Sequence, residues 1–426
     1  MSLLHFLGDS LNEMRRGPLL YWVWIIALLA MIAFGLASYL EQLREGLVAT
    51  NMTNQVSWGL YIANFTFLVG VAAAAVMLVI PAYIFDRKDI KDVVLMGDTM
   101  AIAAVTMAML FVVVDLGRPD RFWHMIPGIG RFNFPMSMLA WDVVVLIGYV
   151  LLNFGISFYI VYSHYRGRQP RLVLYLPFVL IAIFWAISIH TVTAFLYSAN
   201  SGRVFWHTSL LAPRFIASAF ASGPALMILG LKLIRAFSRY PVRQSVIEHL
   251  ALTMTVALQI TLFFVAVELF TDFYNEGAHA SSMRYLFFGL DGHAAMRPWI
   301  WTALSLLLIA VAILMIQPLS RSETLLNLAC AATAVGVWIE KGMGLVVPGF
   351  IPTPTGEILE YGPNSTEVGV SIGVWGIGLL LFTLLAKAGI PIECGALRRA
   401  ERPPTAAGTR GGGAVPAASP ASPESP

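Results

Sequence analysis

The chain alternates long apolar runs with short polar breaks, many of them marked by glycine or proline. A helix needs about 20 apolar residues to cross the hydrocarbon core of a bilayer. Ten runs meet that length: 19–40, 58–85, 93–116, 137–162, 172–197, 210–237, 247–271, 298–318, 325–347 and 368–390. The first is too long for the apolar core of a signal peptide, and no small-residue cleavage pattern follows it, so it is read as a spanning helix. Only a tight turn around Arg321 separates the eighth run from the ninth. The pattern predicts an all-α polytopic membrane protein. Residues 1–18 form a cytoplasmic N-terminal segment and residues 19–397 the membrane domain. Residues 398–426 are a cytoplasmic tail rich in Pro, Ala, Gly and Ser. Such a tail cannot bury enough apolar surface to fold and is expected to be disordered.

Composition agrees: 58% of residues are hydrophobic and 12% charged, where a soluble domain is about a quarter charged. Cys330 and Cys394 are too few for an iron–sulfur cluster or a structural zinc site, so no metal site is expected. Lys and Arg give the orientation. Arg15, Arg16, Arg87, Lys88, Lys91, Arg166, Arg168, Arg171, Lys232, Arg235, Arg239, Arg243, Arg398, Arg399 and Arg402 all fall on one side of a ten-helix arrangement. Both termini are therefore expected in the cytoplasm. The stretch DLGRPDRFWH (115–124) is expected outside.

The residues that are expensive in lipid gather near that outer side. Trp58, Tyr61 and Asn64 stand in the first turns of the second helix, and Asp115 closes the third, with Arg118 just beyond. Trp141 and Asp142 begin the fourth helix, and Arg214 opens the sixth. Glu268 and Glu340 lie near the outer ends of the seventh and ninth. His190 sits roughly 12 Å down the fifth, at the standard helical rise. Plainer readings exist: Asp115 and Arg118 pair as a loop staple, Trp58 and Tyr61 anchor at the interface, and His190 bonds a backbone carbonyl. Glu340 resists such a reading. Its neighbour Lys341 points to another face of the helix, so Glu340 needs a different partner, and an ionisable group inside a membrane is a functional-site hypothesis by default.

No nucleophile elbow, phosphate loop or zinc helix is present. Haem b would want two facing histidines, and only His190 is well inside a helix, with His164 and His249 at cytoplasmic ends. A quinone fits better. Its ring and tail suit a cleft lined by aromatics, and its carbonyls want donors. Quinol oxidation releases two protons that a carboxylate or imidazole must accept. Trp58, Tyr61, Asn64, Arg118, Trp141 and Arg214 are the candidates to hold the headgroup. His190, Asp115, Asp142, Glu268 and Glu340 are the candidate proton acceptors. An echo, RFWH at 121–124 and RVFWH at 203–207, suggests either duplication or a coincidence of interfacial aromatics.

At these residues the chain resembles the NrfD family of polysulfide-reductase-type integral membrane subunits. The resemblance runs from Trp58 to Glu367 through WGLYIANF, DLGRPDRFW, MLAWDVVVL, SIHTVTAFLYS, FWHTSLLAPRFIASAFASGPAL and IEKGMGLVVPGFIPTPTGEILEY. The ten-helix length and the VPGF-type end of the ninth helix are most like the DsrP type, from DsrMKJOP sulfur-metabolism complexes, with the HmcC type second. The resemblance implies two four-helix bundles and a quinone-reactive subunit, using menaquinone or ubiquinone, with no haem or iron–sulfur cluster of its own. It implies a periplasmic ferredoxin-type iron–sulfur partner, further redox subunits (a cytochrome c, a haem b membrane subunit, a cytoplasmic iron–sulfur subunit) and a place in the bacterial inner membrane; nucleic acid is not expected as a partner. By family position Trp58, Tyr61, Asn64, Asp115, Arg118, Asp142 and His190 line or support the pocket. Shorter family members also use their first helix, whereas 19–40 here is nearly all apolar.

Two readings from other classes compete. A proton- or ion-coupled transporter would carry polar residues on to the cytoplasmic side, where Asp98 and Glu248 lie. A pure anchor would pair its outer charges internally and leave no cavity among them.

Overall fold

The computed structural model describes residues 2–72, 74–126, 128–238, 240–275, 277–316 and 322–398. The turn expected at Arg321 and the tail from residue 399 onward lie outside them. Among the described residues there is no β-strand, and ten helices are long and apolar enough to span a membrane. They are α1 (Leu19–Ala49), α2 (Leu60–Tyr83), α3 (Val94–Asp115), α4 (Met138–Tyr165), α5 (Leu172–Ser198), α6 (Leu211–Phe237), α7 (Gln244–Asn275), α8 (Arg297–Met315), α9 (Glu323–Phe350) and α10 (Ser365–Glu393). Connections after odd-numbered helices share one end of the bundle, called here the odd-loop face. The expected set of spans is therefore the observed one.

Local chemistry starts and stops these helices. The side chains of Ser137 and Ser322 cap α4 and α9 by accepting from the third backbone N–H of each, and a cap of this kind is worth about 1 kcal/mol. Asn364 and Glu367 form a reciprocal capping box on α10. At the end of α1, Gly46 takes φ 79° and its N–H bonds the Gln42 carbonyl. Apolar residues end at Leu40, but the helix does not, and it carries Glu41 and Gln42 on into a 3₁₀ turn (Gly46–Ala49).

Helices α2–α5 and α6–α9 pack as two groups, joined where α2 meets α6 and α9 and where α5 meets α6. Nearly all of α2 is buried, which places it at the centre. Outside the two groups, α1 pairs with α10, and α10 also packs on α3. The α1–α10 seam is built from small residues: a Cβ on Gly35 would come within 2.3 Å of Gly373 Cα. Such close backbone approach is how helices associate when lipid offers no hydrophobic drive. A separate N-terminal helix, Ser2–Met14, seats Phe6 against Phe158, Tyr162 and Tyr165.

One irregularity matters for function. In α9 the segment Trp338–Met343 is π-helical, followed by a short α-turn and a 3₁₀ turn, Pro348–Phe350. Gly342 lets this segment approach α2, since a Cβ there would sit 3.0 Å from the Ala63 carbonyl oxygen. Wide turns of this kind concentrate at functional sites, and this one carries Glu340 and Lys341.

Candidate functional site

The outer polar residues do not meet in one cavity: Arg118 lines one cavity, Arg214 and Glu268 line another, and the rest line neither of these two. The first cavity, of about 500 Å³, lies between α1 and the end of α3 and is lined by Tyr39, Gln42, Leu47, Leu116, Arg118 and Asp120. It exists because α3 stops at Asp115, the chain runs extended at Leu116, and Pro119 opens a 3₁₀ helix, Pro119–Met125. Buried Gln42 forms its inner wall. Gln42 accepts from the Tyr61 hydroxyl at 2.6 Å and donates to the Val114 carbonyl at 2.7 Å. Asp115 is half-buried, and its Oδ1 is sealed from solvent without a hydrogen-bond partner.

The loop staple anticipated between Asp115 and Arg118 does not form. Arg118 instead makes a two-pronged pair with Asp120, at 3.0 and 2.9 Å, on the exposed surface. This frees Asp115. Behind it stands a fully buried carboxylate, Glu367, which accepts from the Asn51 and Asn364 backbone amides and the Tyr361 hydroxyl. Glu367 lies close enough for its charge to act on both Asp115 and Tyr61.

An aromatic wall stands in the interior. Trp58 stacks on Trp206 with centroids 5.5 Å apart and meets Tyr197 and Phe350 edge-on. Trp206 donates its indole N–H to the Leu345 carbonyl. A Cβ on Gly349 would overlap the Trp206 ring, so only glycine permits that contact. The two echoed loops both fold as 3₁₀ turns but part ways afterwards. Trp206 is fully buried, while Trp123 is 47% exposed and stacks on His124.

Asn64 is saturated on its acceptor side. Its Oδ1 takes the indole N–H groups of Trp338 and Trp375 at 3.0 and 3.1 Å, and its amide donates to the Leu60 carbonyl. Trp141 is exposed, bonded to the Pro135 carbonyl and packed on Phe134. Asp142 is buried and accepts from Thr193 at 2.8 Å. His190 is buried with Nδ1 against the Ala186 carbonyl at 2.8 Å. Its Nε2 turns toward the Gly70 backbone and makes no hydrogen bond of ordinary geometry.

The second cavity, about 310 Å³, opens between α6, α7 and the loop before α6. Its lining includes His207, Arg214, Glu268, Thr271, Asp272 and His279. Arg214 is clamped between two buried carboxylates, bonding Glu268 from α7 and Glu340 from the π-segment of α9. Glu340 thus finds the partner its position demanded. Each carboxylate keeps one buried, unbonded oxygen, Oε1 on Glu268 and Oε2 on Glu340. Lys341 turns the other way. Its ammonium bonds the Phe215 carbonyl at 3.2 Å and sits 4.2 Å from the centre of the Phe215 ring. A Cβ on Gly70 would come 3.2 Å from Lys341 Nζ, so glycine leaves room for that charge.

Chemically, the first cavity offers the Gln42 amide and the exposed Arg118–Asp120 pair, with Asp115 next in the chain to its lining residue Leu116. The second is dominated by an ion cluster whose cation is already taken. Residues 48–351 match the family model described as polysulphide reductase, NrfD. The chain belongs to that family. The NrfD match covers every site residue named above from Trp58 to Glu340, and leaves out Gln42 and Glu367. Over its length the chain is similar to a protein of Halobacterium salinarum named as the membrane component of a dimethyl sulfoxide reductase, 26% identical across 88% of this chain and 91% of the relative. It is similar to a selenate reductase component of Mesobacillus selenatarsenatis, 23% identical across 85% and 92%. It also resembles the Hdr-like menaquinol oxidoreductase integral membrane subunit of Archaeoglobus fulgidus, 26% identical across 61% of each chain. This NrfD chain is accordingly a multi-pass membrane protein.

Proposed function

We propose that this chain is the quinone-reactive membrane subunit of a redox complex, with the headgroup held in the cavity between α1 and α3. The observation that carries the reading is Asp115 Oδ1, a sealed and unbonded carboxylate oxygen on the residue next to Leu116, which lines a 500 Å³ space together with the Tyr61-bonded Gln42. A buried acceptor without a partner is costly to keep, and a bound hydroxyl would relieve that cost. Gln42, Tyr61 and Arg118 orient the headgroup by its oxygens. Asp115 accepts a proton as two electrons leave the quinol, and the second proton goes to water at the cavity mouth. Asp142 and His190 support the site from deeper in the bundle. The relative named as a menaquinol oxidoreductase subunit supports menaquinone as the substrate.

The electrons pass to an extracytoplasmic ferredoxin-type iron–sulfur subunit docked on the odd-loop face. The positive charge of the opposite face, including Arg87, Lys88, Arg166, Arg168 and Lys232, orients that opposite face to the cytoplasm. Within the family we assign the chain to the DsrP type serving sulfur metabolism, in a bacterial cytoplasmic membrane with both termini inside. Extraction of quinone from the purified complex tests the site. Wild type should hold about one quinone per chain by the one-cavity reading, and Asp115→Asn and His190→Ala should lose it or its turnover while the complex still assembles. Full occupancy and normal turnover in both variants would remove them from the site.

A further inference from the structure

The α6–α7–α9 cavity shares no lining residue with the α1–α3 cavity, and the proposed quinone chemistry leaves its charges unused. Arg214 stands between Glu268 and Glu340, so the place a metal cation would occupy already holds a guanidinium. Each carboxylate nevertheless keeps an unbonded oxygen that is buried, Glu268 being 7% exposed and Glu340 1%. Oxygens in that condition can bind a proton, the one cation that needs no coordination shell. Polar groups lead to them from the odd-loop face: His207, Thr271, Asp272 and His279 line the same cavity.

The cluster also continues inward. Lys341 adjoins Glu340 on the π-turn, is 2% exposed and has no ion pair among the described residues. Its charge reaches both Glu340 on one side and His190 on the other. Gly70, which makes room for it, is ten residues into α2, roughly 15 Å from that end by the helical rise. That depth is about the middle of a bilayer core.

We propose that Arg214, Glu268, Glu340 and Lys341 form a proton-exchange site in the second helix group, open to the odd-loop face and separate from the quinone cavity. Two cations and two carboxylates sum to zero. A proton taken from hydronium in the cavity breaks an O–H bond of that ion and forms one on an unbonded oxygen of the Glu268–Glu340 pair, of which Glu268 lines the cavity, and its release to cavity water reverses the step. The charge of Lys341, which acts on Glu340, sets how readily the pair holds that proton.

The test uses the full chain in its purified complex. Infrared difference spectra on transfer to D₂O read protonated carboxyl groups. Lys341→Met removes one positive charge, so the carboxylate pair should take up a proton and the spectrum gain one exchangeable carboxylic acid band. That band should vanish in the double variant Lys341→Met, Glu340→Gln. Thr271→Cys, made with Cys394→Ser, should react with a membrane-impermeant maleimide from the odd-loop side alone. No new band in Lys341→Met, a band surviving in the double variant, or Thr271→Cys labelling from the opposite side would each overturn the proposal. Bound quinone, measured on the same samples, should match wild type in Lys341→Met; its loss would merge the two sites and also overturn it. Wild-type complex without quinone would sink the quinone reading and leave the infrared result to stand alone.

Discussion

The two cavities at the odd-loop end are built from similar materials and arrive at opposite electrostatic states. Between α1 and α3, the charged pair that lines the cavity, Arg118 with Asp120, is out in solvent, and the neighbouring carboxylate, Asp115, keeps a buried oxygen without a partner. Between α6, α7 and α9, the guanidinium is buried and its two carboxylates are committed to it. The first arrangement keeps binding capacity unspent for a neutral, oxygen-bearing ligand. The second commits its capacity internally and retains only what a proton needs. The difference shows that a run of polar residues at matching helix ends does not define one site. What defines it is which charges the fold pairs off.

The largest effect expected from breaking this contrast is in the second cavity. Arg214→Ala strands two carboxylates in the interior, and losing one member of a buried ion cluster costs about 3–5 kcal/mol. We expect failed assembly or a sharply lowered thermal midpoint in detergent, with Arg214→Lys intermediate because an ammonium cannot bridge both carboxylates in fixed geometry. An unchanged midpoint in Arg214→Ala would mean that Glu268 and Glu340 are not both charged.

The next effect is in the first cavity and should be one of rate. Asp115→Asn keeps the shape and removes the proton acceptor. General-base groups contribute about 100- to 10,000-fold, so quinol-dependent turnover should fall within that range while the thermal midpoint stays at the wild-type value. Loss of stability with turnover retained would reverse the roles assigned to the two cavities.

A smaller, mixed effect should follow Tyr61→Phe. Gln42 Oε1 loses its donor, and an unsatisfied buried acceptor costs about 1–3 kcal/mol. The affinity for quinol should drop about 10-fold if the Gln42 amide must be held to orient the headgroup, the equivalent of about 1.4 kcal/mol. Measuring KM and kcat separately checks this, because a purely structural tyrosine would lower stability and leave KM alone.

Much of this was legible before the structure. Apolar run length located all ten spans, since nothing but a helix or a closed barrel satisfies the backbone in lipid. The need of Glu340 for a partner other than Lys341 was also legible, from the angle between adjacent helical residues. Three features were not. Gln42 was hidden because hydrophobicity ends at Leu40 while the helix continues to Glu45; its spacing of three from Tyr39 was the available signal. Glu367 reads as an ordinary cap residue, and only the fold brings it to Asp115. The π-turn at Trp338–Met343 leaves no mark in the order of residues, so the turn of Lys341 toward Gly70 and His190 could not be foreseen. Asn64 shows the converse: its place in the motif suggested a ligand, yet the fold gives its acceptor oxygen to two indoles.

The smallest effect is expected at Arg118, and it separates position from energy. The bond to Asp120 has good two-pronged geometry, but both side chains are more than half exposed, and exposed pairs contribute little after solvent screening and side-chain entropy. Arg118→Gln should therefore leave the thermal midpoint where it is at any salt concentration. Arg118 also lines the α1–α3 cavity, so the same variant should raise the KM for quinol a few-fold without changing kcat, if the guanidinium meets the headgroup only on binding. Asp120→Asn supplies the control. It releases Arg118 from its partner and should lower KM or leave it unchanged. If both substitutions raise KM alike, the pair acts by holding the Pro119–Met125 turn in place, and Arg118 leaves the list of groups that touch the ligand.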